Sequence, residues 1–339
     1  MTKREAVTLG VLVPCRNEER VIARRLENLL ASVWPDAAGV HKLLVVNDGS
    51  EDETARIAQE VIEASNSSAV TVEVLDNVHA PGKNGAIRTG LERLGDEVDV
   101  VVLTDADVVT DLLALAAIAA AFEEEPQLGM VSGVQSLHSS LPRDGSVPAE
   151  ETAMGLYDSW TRAVRRMESK VGRLFSVHGQ LLAWRLDLGL SPGALVADDL
   201  ELMLELRRRH PSHKVRMVEG ARFHEERSFE RGAQDLRRAR AYLQAVPLMD
   251  TPTLGVQGWL YRRLPPVAPA LSLLALSLAG ACAWVGWGLY GLGGFLTLVC
   301  LLSLHPGLRR VLSLLWVIER ARRAERAGSL GITWETARA

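Results

Sequence analysis

Apolar runs and amphipathic stretches alternate along the first two-thirds of the chain. Strand-like runs lie at Leu9–Val13, Lys42–Val46, Val70–Leu75, Val98–Leu103 and Met130–Val134. Between them, helical patterns predict helices over Glu18–Leu30, Asp52–Ala64, Ala86–Leu94 and Asp111–Glu124. Strands that alternate with helices predict an α/β fold, a mostly parallel sheet with helices on both faces. In such folds ligands bind at the carboxyl edge of the sheet.

The pattern changes beyond Arg263. From Val267 to Leu304 no residue is charged, and Leu, Ala, Gly and Trp dominate. As one helix this stretch would rise about 57 Å, against a hydrocarbon core of about 30 Å. It is too long for one straight crossing and long enough for a tight hairpin of two. Gly286, Gly288, Gly291, Gly293 and Gly294 favour a break near its middle. Arg262 and Arg263 precede the stretch and Arg309 and Arg310 follow it, so both ends read as cytoplasmic. The alternative, a buried helix pair in a soluble protein, leaves too little chain to cover so long an uncharged run. Further on, Val311–Ile318 leads into Glu319-Arg320-Ala321-Arg322-Arg323, a pattern that suits an interfacial helix. The expected division is an α/β domain over 1–245, a juxtamembrane linker over 246–266, a transmembrane helical hairpin over 267–304, and an interfacial amphipathic helix with a cytoplasmic tail over 305–339. The expected location is the cell membrane, with the α/β domain on the cytoplasmic side; no signal-peptide pattern precedes the first strand.

Composition narrows the partners. A net charge of −4 offers no electrostatic case for nucleic acid. Cys15, Cys282 and Cys300 have no paired spacing, which excludes a zinc ribbon and argues against a disulfide framework. The histidines show no metal-ligand spacing. No oligomeric state is specified.

The strand ends carry the candidate chemistry. The run Val100–Leu103 is followed by Thr104-Asp105-Ala106-Asp107, two carboxylates one residue apart. Two acids together at a sheet edge suit a divalent cation shared with phosphate oxygens; helix capping by Asp107 or Asp111 is the alternative. The first strand ends in Pro14-Cys15-Arg16-Asn17-Glu18-Glu19 and the second in Asn47-Asp48-Gly49-Ser50. Asp48 could bond a base or ribose hydroxyl, or cap the helix beginning at Asp52. After the third strand, Gly82-Lys83-Asn84-Gly85 lets backbone approach a ligand and brings one cation to it. It is neither a P-loop nor a G-x-G-x-x-G turn. Asp198 and Asp199 open a helix over Leu200–Arg209 with acids early and arginines late, an order the helix dipole favours, so capping and catalysis both remain open locally.

In order, Val13-Pro14-Cys15-Arg16-Asn17-Glu18-Glu19, Asn47-Asp48-Gly49-Ser50, Gly82-Lys83-Asn84-Gly85-Ala86 and Thr104-Asp105-Ala106-Asp107 resemble the motifs of a membrane-associated family-2 glycosyltransferase with the GT-A, Rossmann-like fold. His178-Gly179-Gln180-Leu181-Leu182-Ala183 resembles its acceptor-side glycine segment, and Ala197-Asp198-Asp199-Leu200 its Glu-Asp pair. Gln234-Asp235-Leu236-Arg237-Arg238 resembles a Q-x-x-R-W element in which Arg238 stands for the tryptophan. The resemblance spans roughly residues 8–245. It implies a nucleotide-sugar donor, with a UDP-sugar expected, and Mg²⁺ or Mn²⁺ as cofactor. Donor binding would fall to Pro14, Arg16, Glu18, Asp48, Lys83, Asp105, Gln234, Arg237 and Arg238, and the metal to Asp107. His178, Gly179 and Asp198 would lie on the acceptor side, with Asp199 as general base of an inverting transfer. For Gln234 and Arg237 a solvated basic face is the alternative, since Arg231, Arg237, Arg238 and Arg240 crowd one segment. The loss of the tryptophan and a hairpin too small to enclose a pore argue against a processive polysaccharide synthase and favour a lipid or membrane-embedded acceptor. Two rivals are a sugar-nucleotide pyrophosphorylase, which should carry an N-terminal G-x-G-x-R loop absent here, and a catalytically dead membrane-tethered binding protein.

Overall fold

In a computed structural model of the chain, the described residues are 6–37, 39–65, 70–148, 156–193, 195, 197–226, 231–250, 252–304 and 316–324. The chain divides into two compact units, one of residues 1–154, 161–228 and 332–339, the other of 155–160 and 229–331.

The first unit is the α/β body. All five expected strands form: β1 (Leu9–Cys15), β2 (His41–Asn47), β3 (Val70–Asp76), β4 (Val100–Thr104) and, after the short β5 (Val109–Thr110), β6 (Leu128–His138). The helices between them are α1 (Ile22–Ala31), α2 (Thr54–Ala64), α3 (Lys83–Leu94) and α4 (Ala114–Glu124). The second half adds α5 (Leu156–Lys170, of which residues from Thr161 belong to this unit), β7 (Leu181–Arg185), α6 (Asp198–Arg209) and β8 (Lys214–Glu226). The strand order is β3-β2-β1-β4-β7-β6-β8-β5. Strands β1, β2 and β4 are buried along their whole length. Their unbroken Val/Leu runs are what a parallel strand covered on both faces requires. Val11, Val13, Val45, Val102, Leu26, Ile118 and Phe122 belong to one continuous core.

Two features depart from a simple parallel series. Helix α4 starts at Ala114, not Asp111, because β5 first pairs antiparallel with Phe223 and His224 of β8. Strand β7 runs antiparallel between β4 and β6, with Thr104 opposite Leu181. That reversal sets the residues preceding β7 at the carboxyl end of β4.

The second unit contains α7 (Arg231–Ala245) and α8 (Gly255–Leu304). The backbone of α8 breaks at Trp287 (φ −138°, ψ 16°) and Gly288 (φ 60°, ψ −142°). The break uses the left-handed freedom of glycine. Beyond it the chain doubles back, since a Cβ on Gly280 would lie 3.2 Å from the Phe295 ring. Among the described residues one helical segment, Ala270–Leu301, is long and apolar enough to cross a membrane. Its large side chains, among them Leu274, Leu278, Val285 and Tyr290, stay exposed. Helix 316–324 packs Val317 and Ala321 on Ala239 of α7. Tyr242 Oη donates to the carbonyl of Tyr261 at 2.9 Å, tying α7 to the start of α8. Of the expected interfacial segment, 305–315 and 325–339 lie outside the described residues.

Candidate active site

The carboxyl edge of the sheet gathers most of the candidate groups. Strand β4 ends at Thr104, which places Asp105 on the loop directly beyond it. Lys83, first residue of α3, reaches this loop: its Nζ lies 2.8 Å from Asp105 Oδ1 and 3.1 Å from Asp198 Oδ2. One ammonium therefore joins the acidic loop after β4 to the acidic first turn of α6. Burial draws the Lys83 pKa down, but Asp105 and Asp198 outweigh it, and the net shift is upward, so the group stays charged. Burial pushes the Asp105 carboxyl up against the pull of Lys83, and Asp107 adds to the rise.

Gly82 presents Lys83 with φ 128° and ψ 161°, a region essentially restricted to glycine. The Gly82 N–H donates to Asp48 Oδ2 at 2.8 Å, and Asn77 Nδ2 donates to Asp48 Oδ1 at 2.6 Å. Asp48 thus has both oxygens engaged and its side chain only 2 % exposed, with Arg16 Nη1 3.9 Å away. It makes no cap on α2; Asp52, two residues ahead of that helix, accepts from the Thr54 N–H at 3.0 Å. Gly82→Ala is expected to destabilise the protein by about 1–3 kcal/mol through backbone strain alone, seen as a lower Tm in thermal unfolding.

The reversed strand β7 brings in the opposite wall. Thr104 Oγ1 donates to the Gln180 carbonyl at 2.8 Å, and the Gly179 N–H donates to Asp199 Oδ2 at 3.1 Å. The Leu200 N–H donates to Asp199 Oδ1 at 2.7 Å. A Cβ on residue 179 would meet the Asp199 Cβ at 3.3 Å, so glycine lets the backbone reach that carboxylate. Burial, and next the Asp198 charge, push the Asp199 carboxyl up to about 6, against Lys83 and the two backbone donors. A carboxylate so tuned can take a proton near neutrality.

Other expected residues are placed as follows. Pro14 is buried in β1 opposite Val46. The Glu18 N–H donates to Thr54 Oγ1 at 2.7 Å, while its carbonyl starts the turn into α1. Asp107 is half-buried, and its carbonyl accepts from Arg24 Nη2 at 3.2 Å. Asp111 is not a helix cap: its carboxylate accepts from His224 Nε2 at 2.8 Å, and His224 Nδ1 meets His138 Nε2 at 2.9 Å. The His178 N–H donates to Ser132 Oγ at 2.9 Å, with its ring against the Arg165 guanidinium and edge-on to Phe223. Arg238 is exposed on α7 of the second unit; the side chains of Gln234 and Arg237 lie outside the described residues.

Three positioning residues were not singled out by sequence. Asn84 Nδ2 donates to the carbonyls of Gly193 and Leu195, Arg88 Nε donates to that of Pro192, and Glu201 Oε2 accepts from the Gly193 and Leu195 N–H groups. Together they clamp the segment leading into Asp198 and Asp199. Among the described residues no group of three or more His, Cys, Asp or Glu is arranged to hold a metal ion. Asp107, with Asp105 beside it, offers hard oxygen donors for an ion that takes its other ligands from phosphate and water, so the donor set fits a shared Mg²⁺ or Mn²⁺.

Residues 7–243 match the family described as Glycosyltransferase like family 2. The chain belongs to this family. A family-2 glycosyltransferase is a transferase, and the pyrophosphorylase reading is set aside. The chain is similar to the poly-beta-1,6-N-acetyl-D-glucosamine synthase of Staphylococcus aureus (strain COL), 24% identical over 199 residues, covering 58% of this chain and 44% of that protein. The Staphylococcus epidermidis synthase is 24% identical over 202 residues, covering 58% and 45%. The match thus takes in under half the length of these relatives. Among solved structures, a mannosyltransferase from Pyrobaculum calidifontis in complex with GDP-Man and Mn²⁺ is 20% identical, covers 97% of this chain and 89% of its own, and gives a TM-score of 0.68. That likeness establishes a shared GT-A-like fold.

Proposed function

We propose that this family-2 glycosyltransferase is an inverting, metal-dependent enzyme that moves a sugar from a nucleoside-diphosphate donor to a hydroxyl of a lipid or membrane-embedded acceptor. The observation that carries the reading is the Lys83 bridge between Asp105 and Asp198, with Asp199 beside it tuned upward to about 6. Lys83 brings positive charge to the diphosphate, and the turn held by Asp48 fixes its approach. Asp107 would ligate the metal, with Asp105 next to it toward the ribose. A bound Mg²⁺ or Mn²⁺ neutralises the diphosphate as a leaving group. Asp199 takes the acceptor proton as the acceptor oxygen attacks the anomeric carbon; the C–O bond forms as the bond to the diphosphate breaks on the opposite face. Gln234, Arg237 and Arg238 are proposed phosphate contacts. The mannosyltransferase solved with GDP-Man and Mn²⁺ supports a metal-bound nucleotide-sugar donor and widens the base from uridine to guanosine.

Two features support the acceptor class. The Ala270–Leu301 segment exposes large apolar side chains along its length, as a lipid-facing helix does, and the chain reverses at Gly288. Arg262 and Arg263 before it favour a cytoplasmic face for the catalytic unit. A second reading, synthesis of a polysaccharide, is favoured by the similarity to the staphylococcal synthases. One assay separates the two. The purified protein in lipid vesicles is given radiolabelled UDP- and GDP-sugars, total lipid extract, and Mn²⁺ or EDTA. Label should enter the organic phase with Mn²⁺ and stay out with EDTA. Label found only in long water-soluble polymer would establish the second reading instead.

A further inference from the structure

Arg25 lies on α1 with no exposed surface, and its guanidinium sits under the acidic loop. Its Nη2 donates to Thr104 Oγ1 at 2.6 Å, and its Nη1 donates to Asn28 Oδ1 at 2.7 Å and Thr110 Oγ1 at 3.3 Å. Asn28 completes the grip: its Oδ1 accepts from the Thr110 N–H at 2.8 Å and its Nδ2 donates to the Thr110 carbonyl at 2.9 Å. Thr104 ends β4, just before the loop that carries Asp105 and Asp107, and Thr110 ends β5, the two-residue strand just after it. The Arg25 Nε has no hydrogen-bond partner, and all the partners of its other nitrogens are neutral.

A cation buried on neutral partners costs several kcal/mol unless other charge compensates it. The compensating charges here are Asp105 and Asp107. Burial pushes the Arg25 guanidinium down to about 9 while these two carboxylates hold it up, so it stays protonated at neutral pH. An apolar residue would fill this position without that cost, so the charge needs a purpose on the loop side.

We infer that Arg25 is a positioning residue for the donor site: it clasps both ends of the Asp105–Asp107 loop and supplies the positive charge beneath it that lets two acids face the substrate together. Thr104 extends the effect across the cleft, since the same hydroxyl that receives Arg25 donates to the Gln180 carbonyl, next to Gly179 and Asp199. The inference rests on the reading of this loop as the metal and diphosphate site. Its ligands are hard cations and phosphate, so loss of Arg25 should appear first as loss of metal–nucleotide affinity.

The test uses full-length protein, with Mn²⁺–UDP and Mn²⁺–GDP as probes in calorimetric titration. Arg25→Met should weaken binding by about 10–100-fold, the range for groups that orient metal ligands. Arg25→Lys keeps the charge but cannot span Thr104 and Thr110, and should recover part of the affinity. Thr110→Val covers the case in which Arg25→Met fails to fold: it removes one arm of the clasp, leaves the charge in place, and should raise the donor KM more than it lowers kcat. Wild-type affinity in Arg25→Met, or in both Arg25→Lys and Thr110→Val, would overturn the inference. Failure of the wild-type protein to bind either nucleotide with Mn²⁺ sinks both the inference and the donor-site reading beneath it.

Discussion

Asp199→Asn is expected to lower glycosyl transfer by about 10²–10⁴-fold, the usual contribution of a positioned general base. The fold should survive the change. Asparagine keeps an oxygen for the Gly179 or Leu200 N–H, and it removes a negative charge that stands beside Asp198 in a buried setting. Thermal unfolding should therefore show a Tm equal to or above that of the wild type, and Mn²⁺–nucleotide binding should persist. Because burial holds the Asp199 carboxyl up at about 6, the base is protonated and idle below that pH and ionised above it. The wild-type pH profile of kcat should rise through about 6, and the residual rate of the variant should lack that limb. Undiminished transfer by Asp199→Asn would assign the base elsewhere.

Lys83→Met is the second large effect, and it should disturb both binding and stability. It leaves Asp105 and Asp198 facing each other without the ammonium that lies 2.8 and 3.1 Å from them. Breaking a fully buried pair costs about 3–5 kcal/mol; the cleft admits some solvent, which brings the expected loss to about 1–3 kcal/mol. The sign of the pH dependence follows from the carboxylates. Without Lys83 the folded pKa of Asp105, already raised by burial, rises further above its unfolded value, so the variant is most stable in acid and loses stability as pH rises through that raised value. The Tm gap to wild type should thus be narrow in acid and wide at neutral pH. With the diphosphate deprived of its cation, kcat/KM should fall by about 100-fold or more. A Tm gap that does not change with pH would mean that the bridge carries no charge coupling.

The central strands were legible because β1, β2 and β4 are buried on both faces and so carry unbroken apolar runs. The acidic loop, Lys83 and the Asp198–Asp199 turn stood out for a related reason: polar clusters interrupt that pattern where the chain leaves the sheet. What was hidden depends on contacts between distant segments. The reversal of β7 has no local signal, since a short apolar run such as Leu181–Trp184 carries no mark of strand direction. For Asp48 the sequence left ligand binding and helix capping open, and only the fold shows that Gly82 and Asn77 donate to its oxygens. Arg25 and Asn28 did leave a trace, two polar residues at i and i+3 on the buried side of α1 among Ile22, Leu26 and Leu29. Helical periodicity marks them as misplaced, but it cannot say that Thr104 and Thr110 receive them.

The pairing of Thr104 with Leu181 also acts as a ruler. Gly179 and Asp105 come from segments far apart in sequence, yet their spacing is counted in ladder rungs rather than in loop lengths. Of the long connection between β6 and β7, the last residues, His178 to Gln180, are thus held by the ladder that follows them. A one-residue slip in the pairing of β7 would shift the segment before it by about 3.4 Å and turn the side chains of β7 to the opposite face. The distance between the two walls of the candidate site is thus a property of the sheet, not of the loops that flank it.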